Sequence, residues 1–208
     1  MPHPRLAACG LYAITDGPRT DLLDAVAQAL SGGAQIVQYR DKTTDAARRL
    51  AEAVALKRLC DTHAVPLIIN DDVALASAVG AAGVHLGRDD GDIAAARAEL
   101  GGDSIIGVSC YDSIELARAA VAAGADYVAF GAFFPSPTKP HAVRASPGLL
   151  RQSAALGVLR VAIGGITPDN APSLVEAGAD FLAVISAVFG ASDVCAAAQR
   201  FARLYPSD

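Results

Sequence analysis

Basic residues are not in excess in this 208-residue chain: 17 Lys and Arg stand against 22 Asp and Glu, a formal net charge of −5. Polyanion binding rests on the opposite balance, so a nucleic-acid partner is not expected, although a local phosphate site is compatible with this charge. Cysteines are few. Cys9, Cys60, Cys110 and Cys195 lie far apart and form no CxxC pair, which argues against a zinc site or a disulfide framework and points to a reducing cytosol. Membrane-length apolar runs are missing, and the start MPHPRLAACG lacks the charged head and apolar stretch of a signal peptide. A cytoplasmic protein without membrane contact is expected. Aromatic residues make up only 5% while hydrophobic residues reach 52%, with Ala and Gly abundant, a balance that suits close-packed helices and buried strands.

What is present is a repeated unit. Short runs rich in Val, Ile and Leu recur as LYAI from Leu11, QIVQY from Gln35, PLII from Pro66, GVHL from Gly83, SIIGV from Ser104, DYVAF from Asp126, VLRVAI from Val158 and FLAVI from Phe181. Between them lie Ala-rich stretches with helical spacing, such as Leu22, Val26, Ala29 and Leu30, or Leu116, Ala119, Ala120 and Ala123. Glycines stand at the helix-to-strand junctions (Gly33, Gly83, Gly124, Gly157, Gly178), where they end helices. Thr20-Asp21, Asp112-Ser113, Thr167-Pro168 and Ser192-Asp193 stand where helices should start. Eight βα units in one domain over residues 1–208, with 1–10 as an N-terminal extension, predict a (β/α)8 TIM barrel. A doubly wound sheet would carry a G-x-G-x-x-G turn after its first strand, and LYAITDGPRT has none.

In such a barrel every strand ends at one mouth, and here those ends are polar or Gly-rich: Thr15-Asp16, Arg40-Asp41-Lys42, Asn70-Asp71-Asp72, Asp89-Asp90, Ser109, Gly131, Gly164-Gly165 and Ser186. Alternation on the second strand puts Ile36, Gln38 and Arg40 on one face and Val37 and Tyr39 on the other. If the first face is the lumen, Arg40 requires an acidic neighbour or an anionic ligand. Asp71 and Asp90 follow adjacent strands and suit Mg²⁺ shared with substrate phosphate oxygens, or an acid and base pair. His85 reads as a packing histidine rather than a ligand. The long loop GAFFPSPTKPHAVRASPG brings Ser136, Thr138 and Lys139 as a phosphate clasp, and Gly164-Gly165 with Ile185-Ser186 form the phosphate cradle usual at strands seven and eight.

The ordered set QYRDK, NDD, GVHLGRDD, GVS, PSPTK, IGGI and IS, from about Leu11 to Ala191, resembles the thiamine phosphate synthase family. The resemblance implies a transferase that joins a hydroxymethylpyrimidine diphosphate to a thiazole phosphate, releasing diphosphate with Mg²⁺ as cofactor. It implies that Gln38, Tyr39, Arg40, Asp41, Lys42, Asn70, Ser109 and Lys139 contact the pyrimidine diphosphate, with Arg40, Lys42, Lys139 and Ser109 catalytic. Asp71 and Asp90 would bind the metal. Ser136, Pro137, Thr138, Gly165, Ile185 and Ser186 would hold the thiazole phosphate. A homo-oligomer stays open. Three positions depart from the usual pattern: Arg88 where Gln is common, Ala132 where Pro is common, and Ser136 where Thr is common. The alternatives are a thiazole tautomerase-like barrel, a noncatalytic regulatory barrel and a sugar-phosphate epimerase or isomerase.

Overall fold

The structure, a computed structural model, describes residues 3–88, 90–135 and 144–205. Eight parallel strands close into a barrel in sequence order: β1 (Gly10–Ile14), β2 (Ala34–Tyr39), β3 (Leu67–Asn70), β4 (Gly83–Leu86), β5 (Ile105–Tyr111), β6 (Tyr127–Phe130), β7 (Leu159–Ile163) and β8 (Phe181–Val184). Closure is made by β1 against β8, with Gly10 opposite Phe181 and Ala13 opposite Val184. The connecting α-helices are α1 (Leu22–Ser31), α2 (Ala46–Thr62), α3 (Val73–Val79), α4 (Ile93–Leu100), α5 (Ile114–Ala122), α6 (Pro147–Gln152), α7 (Pro172–Glu176), α8 (Ser186–Phe189) and α9 (Val194–Ala202). All eight predicted strands are found, because a sheet covered on both faces selects near-continuous apolar runs.

The core has two shells. Outward-facing residues such as Leu11, Val37, Tyr39, Ile69, Val84, Ile106, Val128 and Leu182 pack under the helices. Inward-facing Tyr12, Ile14, Ile36, Ile68, Ile105, Tyr127, Leu159, Val161 and Phe181 fill the lumen, and Leu6, from the segment before β1, joins this inner set. Each fully buried Ile or Phe here stabilises the fold by about 1.5–3 kcal/mol relative to exposure. The lumen seats a Tyr at 127 because β5 carries glycine opposite it: a Cβ on Gly107 would lie 1.9 Å from the Tyr127 ring.

Several local expectations need correction. On α5 the buried residues are Ala117 and Ala120, while Leu116 is 36% exposed, because the helix presses its small residues against the sheet and turns the larger one outward. Ser113 and Asp193 do cap their helices, accepting from Leu116 N and Ala196 N. Asp21 does not cap with its side chain, since its carboxylate is taken by Arg19 at 2.7 Å. Thr167 begins a turn closed by Asn170 Oδ1, and α7 starts only at Pro172. Gly83 belongs to β4; the left-handed residue ending α3 is Gly80, at φ 63°.

Candidate active site at the strand C-termini

On β2 the expected alternation holds from Ile36 to Tyr39, while Arg40 lies one residue past the end of the strand and is only part-buried. Ile36 and Gln38 face the lumen, where Gln38 Nε2 donates to Tyr12 Oη at 2.7 Å. Val37 and Tyr39 face the helices. The Tyr39 hydroxyl donates to Glu52 on α2 at 2.6 Å, which turns this side chain away from the mouth and leaves only its main chain for a ligand there. Asp41 is likewise drawn inward: its carboxylate is fully buried, pairs with Arg48 at 2.7 Å and accepts from Thr43 N at 2.7 Å. Burial alone would raise that carboxyl, but the hydrogen bond from Thr43 N and the guanidinium of Arg48 outweigh it and hold it below the usual range. Asp41 thus anchors the β2 end while Arg40 and Lys42 flank it.

Arg40 is the exception on this rim. Its main-chain N–H donates to Thr15 Oγ1 at 2.8 Å, and the residue is part-buried, yet its guanidinium forms no ion pair with any described residue. Lys42 is engaged: its Nζ donates to Asp71 Oδ2 at 2.5 Å, and Asn70 Nδ2 donates to the same oxygen at 2.6 Å. Asp71 sits at φ 63°, a left-handed conformation that costs an L-residue roughly 1 kcal/mol. Its main-chain N–H is held by His85 O at 2.8 Å, and the strained backbone carries the carboxylate over the mouth.

Asp90, after β4, accepts from Gly87 N at 2.9 Å and faces Asp71. For Asp71, burial is opposed chiefly by the hydrogen bond from the Lys42 ammonium, and the carboxyl settles below its ordinary value. For Asp90, burial and the neighbouring Asp71 both act to raise the carboxyl. Two crowded carboxylates, one of them reluctant to ionise, fit a divalent cation that would relieve their repulsion and take its remaining oxygens from water and phosphate. With Lys42, Asn70, Asp72 and Arg49 they line a cavity of about 460 Å³.

Ser109, half-buried on β5, bonds to His85 Nε2 at 2.9 Å, so His85 is a buried lumen residue, as its sequence position suggested. Burial pushes its imidazole down to about 4. Arg88 stacks on the Tyr111 ring, 4.8 Å from its centroid, and forms no ion pair with Asp90 among the described residues. Tyr12, Tyr127 and His85, which link Gln38 to Ser109 inside the barrel, were not foreseen as a group; strand register, which the apolar runs of β1 and β6 do not reveal, turns them into the lumen.

On the opposite side of the mouth, Gly164 and Gly165 follow β7 with φ 102° and 64°. A Cβ on Gly165 would lie 2.4 Å from Pro135 O, so glycine is required both for the turn and for the approach of the loop after β6. That loop is tied to β7 by Phe133 N to Ile163 O at 3.2 Å and Phe134 N to Gly164 O at 3.0 Å. Ile185 and Ser186 begin the short α8 at the same rim. Ser136, Pro137, Thr138 and Lys139, like Asp89, lie outside the described residues.

Residues 11–188 match the family model described as thiamine monophosphate synthase. The chain is 60% identical over 195 residues to thiamine-phosphate synthase of Chromobacterium violaceum, covering 93% of this chain and 94% of that one. It is 53% identical over 202 residues to the Nitrosococcus oceani protein of the same name, covering 95% and 93%. The structure of thiamine phosphate pyrophosphorylase from Pyrococcus furiosus superposes with a TM-score of 0.84 at 35% identity, covering 95% of each chain. A 3-hexulose-6-phosphate synthase superposes at 0.71 with 19% identity over 95% of this chain and all of that one, a likeness of fold alone.

Proposed function

The chain belongs to the thiamine monophosphate synthase family and is a transferase, and from that premise we propose that it condenses a hydroxymethylpyrimidine diphosphate with a thiazole phosphate, releasing diphosphate. The observation that carries the assignment of the diphosphate side is Arg40: a cation on a part-buried residue, without an ion-pair partner among the described residues, next in the chain to Asp41 and Lys42, which line a cavity with Asn70, Asp71 and Asp90. A guanidinium in that state calls for an anion, and a diphosphate supplies one with acceptors for a planar fork of donors.

Asp71 and Asp90 would hold Mg²⁺, which neutralises charge on the departing diphosphate when bound. Arg40 and Lys42 bind the same oxygens from the β2 side, with Lys139 joining from the loop. As the C–O bond breaks, the pyrimidine methylene becomes cation-like, its electron deficit shared with the aminopyrimidine ring, and the thiazole nitrogen attacks it. No protein nucleophile is required. The protein's part is to fix the two substrates face to face and to keep water from the cation. Gly165, Ile185 and Ser186, with Ser136 to Thr138, would seat the thiazole phosphate across the mouth, so that the two anionic groups occupy opposite rims.

Cysteine usage and charge favour a cytosolic setting without a nucleic-acid partner, and no described helix is long and apolar enough to cross a membrane. The decisive experiment is to mix purified protein with both substrates and Mg²⁺ and measure diphosphate and thiamine phosphate. Stoichiometric appearance of the two supports the reading; binding of both substrates without diphosphate release rejects it in favour of a noncatalytic barrel.

A further inference from the structure

Inside the barrel five polar side chains from five strands form one unbroken hydrogen-bonded string. Gln38 Nε2 lies 2.7 Å from Tyr12 Oη, which lies 2.8 Å from Tyr127 Oη. Tyr127 Oη is 3.0 Å from His85 Nδ1, and His85 Nε2 is 2.9 Å from Ser109 Oγ. Tyr12 and Tyr127 are each 1% exposed and Gln38 is 2% exposed, so solvent does not complete their hydrogen bonds. The rings brace one another, Tyr12 edge-on to Tyr127 and His85 stacked on it at 5.6 Å. The proposed reaction uses only the two ends of this string, Gln38 and Ser109.

Counting hydrogens gives the string a direction. Gln38 Nε2 only donates, so Tyr12 Oη accepts there. If Tyr12 passes its own hydrogen to Tyr127, Tyr127 can give its hydrogen to His85 Nδ1. A neutral imidazole that accepts at Nδ1 carries its hydrogen on Nε2 and donates it to Ser109 Oγ. Every hydrogen then has an acceptor, and the one left over is the Ser109 hydroxyl hydrogen, at the mouth. In the reverse order Tyr12 receives two hydrogens, its own has no acceptor among the described residues, and Ser109 spends its hydrogen on His85. With the Gln38 amide nitrogen set on Tyr12 Oη, the first order is the one that leaves nothing buried unsatisfied.

We propose that Tyr12 and Tyr127 are positioning residues that lock His85 in its Nε2–H tautomer, so that Ser109 must accept from His85 and is held as a hydrogen-bond donor facing the substrate. A hydroxyl so committed selects an acceptor-only ligand, which an anionic diphosphate oxygen is and a ring N–H is not. The inference rests on the reading of Ser109 as a diphosphate contact. The string reaches that contact from the far side of the lumen and gives the buried tyrosines a part in the reaction without touching it.

The test has two measurements. In ligand-free protein labelled with ¹⁵N-histidine, the His85 signals, identified by their loss in His85→Gln, should show a protonated Nε2 and an unprotonated Nδ1 at neutral pH. In Tyr127→Phe, which removes the hydrogen given to Nδ1, that preference should weaken, and kcat should fall about tenfold with less change in KM. Tyr127→Phe should then add almost nothing to the loss in Ser109→Ala, because both act through one hydroxyl. A wild-type Nδ1–H tautomer overturns the proposal, as does full additivity of the two substitutions. Failure of the wild-type protein to form thiamine phosphate would instead overturn the reaction, while the tautomer, read without substrate, still decides the direction of the string.

Discussion

Lys42 reaches from the end of β2 to the end of β3 and places its ammonium 2.5 Å from Asp71 Oδ2, the same oxygen that accepts from Asn70. A cation entering between Asp71 and Asp90 must share or displace that ammonium, which then turns to the incoming phosphate. Asp71→Asn and Asp90→Asn should therefore each raise the Mg²⁺ concentration for half-maximal turnover by about tenfold or more. Thermal unfolding without metal should change little, since relief of the crowded carboxylate pair offsets the weakened hydrogen bonds to Lys42 and Gly87. Metal titrations of turnover beside melting curves check this; an unchanged Mg²⁺ requirement in both variants removes these carboxylates from the metal site.

Arg40 and Asp41 are sequence neighbours with opposite expected phenotypes. Arg40→Ala removes a cation that pairs with no described residue, so stability should hold while kcat/KM for the pyrimidine diphosphate falls about 10- to 100-fold, the worth of a charged hydrogen bond. Asp41→Ala leaves Thr43 N without its acceptor and takes one of three carboxylates from Arg48, which keeps Glu52 and Asp45, and should cost about 1–3 kcal/mol of stability. Steady-state kinetics and urea unfolding on both variants separate binding from anchoring, and a destabilised Arg40→Ala would show that the guanidinium has a structural partner.

Gly165→Ala forces a methyl to within 2.4 Å of Pro135 O at a φ of 64°. The strap between the loop after β6 and the end of β7 must open. KM for the thiazole phosphate should rise about tenfold or more, with a smaller effect on the pyrimidine diphosphate, because the two substrates sit on opposite rims. Equal increases in both KM values would argue against separate phosphate subsites.

His85 ties stability to acid. Its ordinary value is 6.5, and burial lowers it to about 4 in the folded protein. Between those values the unfolded chain takes up a proton that the folded chain refuses, so stability falls as pH drops from about 6.5 to about 4, on the order of 3 kcal/mol for this group. His85→Gln cannot titrate and should show a shallower decline in urea midpoint between pH 7 and pH 4.5. Identical slopes would mean that His85 titrates alike in the folded and unfolded chains.

The strands were legible because a parallel sheet leaves so plain a trace: GVHL, bounded by glycines, is β4 residue for residue. The mouth was legible as well, since Arg40, Lys42, Asp71 and Asp90 are polar groups at the ends of apolar runs, where only a site or a cap explains them. Harder to read was parity. Both faces of LYAI and DYVAF are apolar, so sequence alone does not say whether Tyr12 and Tyr127 look into the barrel or under the helices; strand register decides it, pairing Ala13 with Val184 and Val128 with Arg160. Hydrophobicity also misled on α5, where Leu116 faces out because alanines permit the closer approach. The competition of Arg19 for Asp21 is a side-chain event that no cap rule contains.

The empty side of Gly107 has a bearing on sequence drift in this barrel. Because a Cβ there would overlap the Tyr127 ring, positions 107 and 127 share one allotment of volume. Any side chain gained on β5 must be matched by a loss on β6, and a descendant that shrinks residue 127 first surrenders its link to His85. Relatives should therefore substitute these two positions together or keep both, a covariation set by steric exclusion in the lumen rather than by contact with substrate.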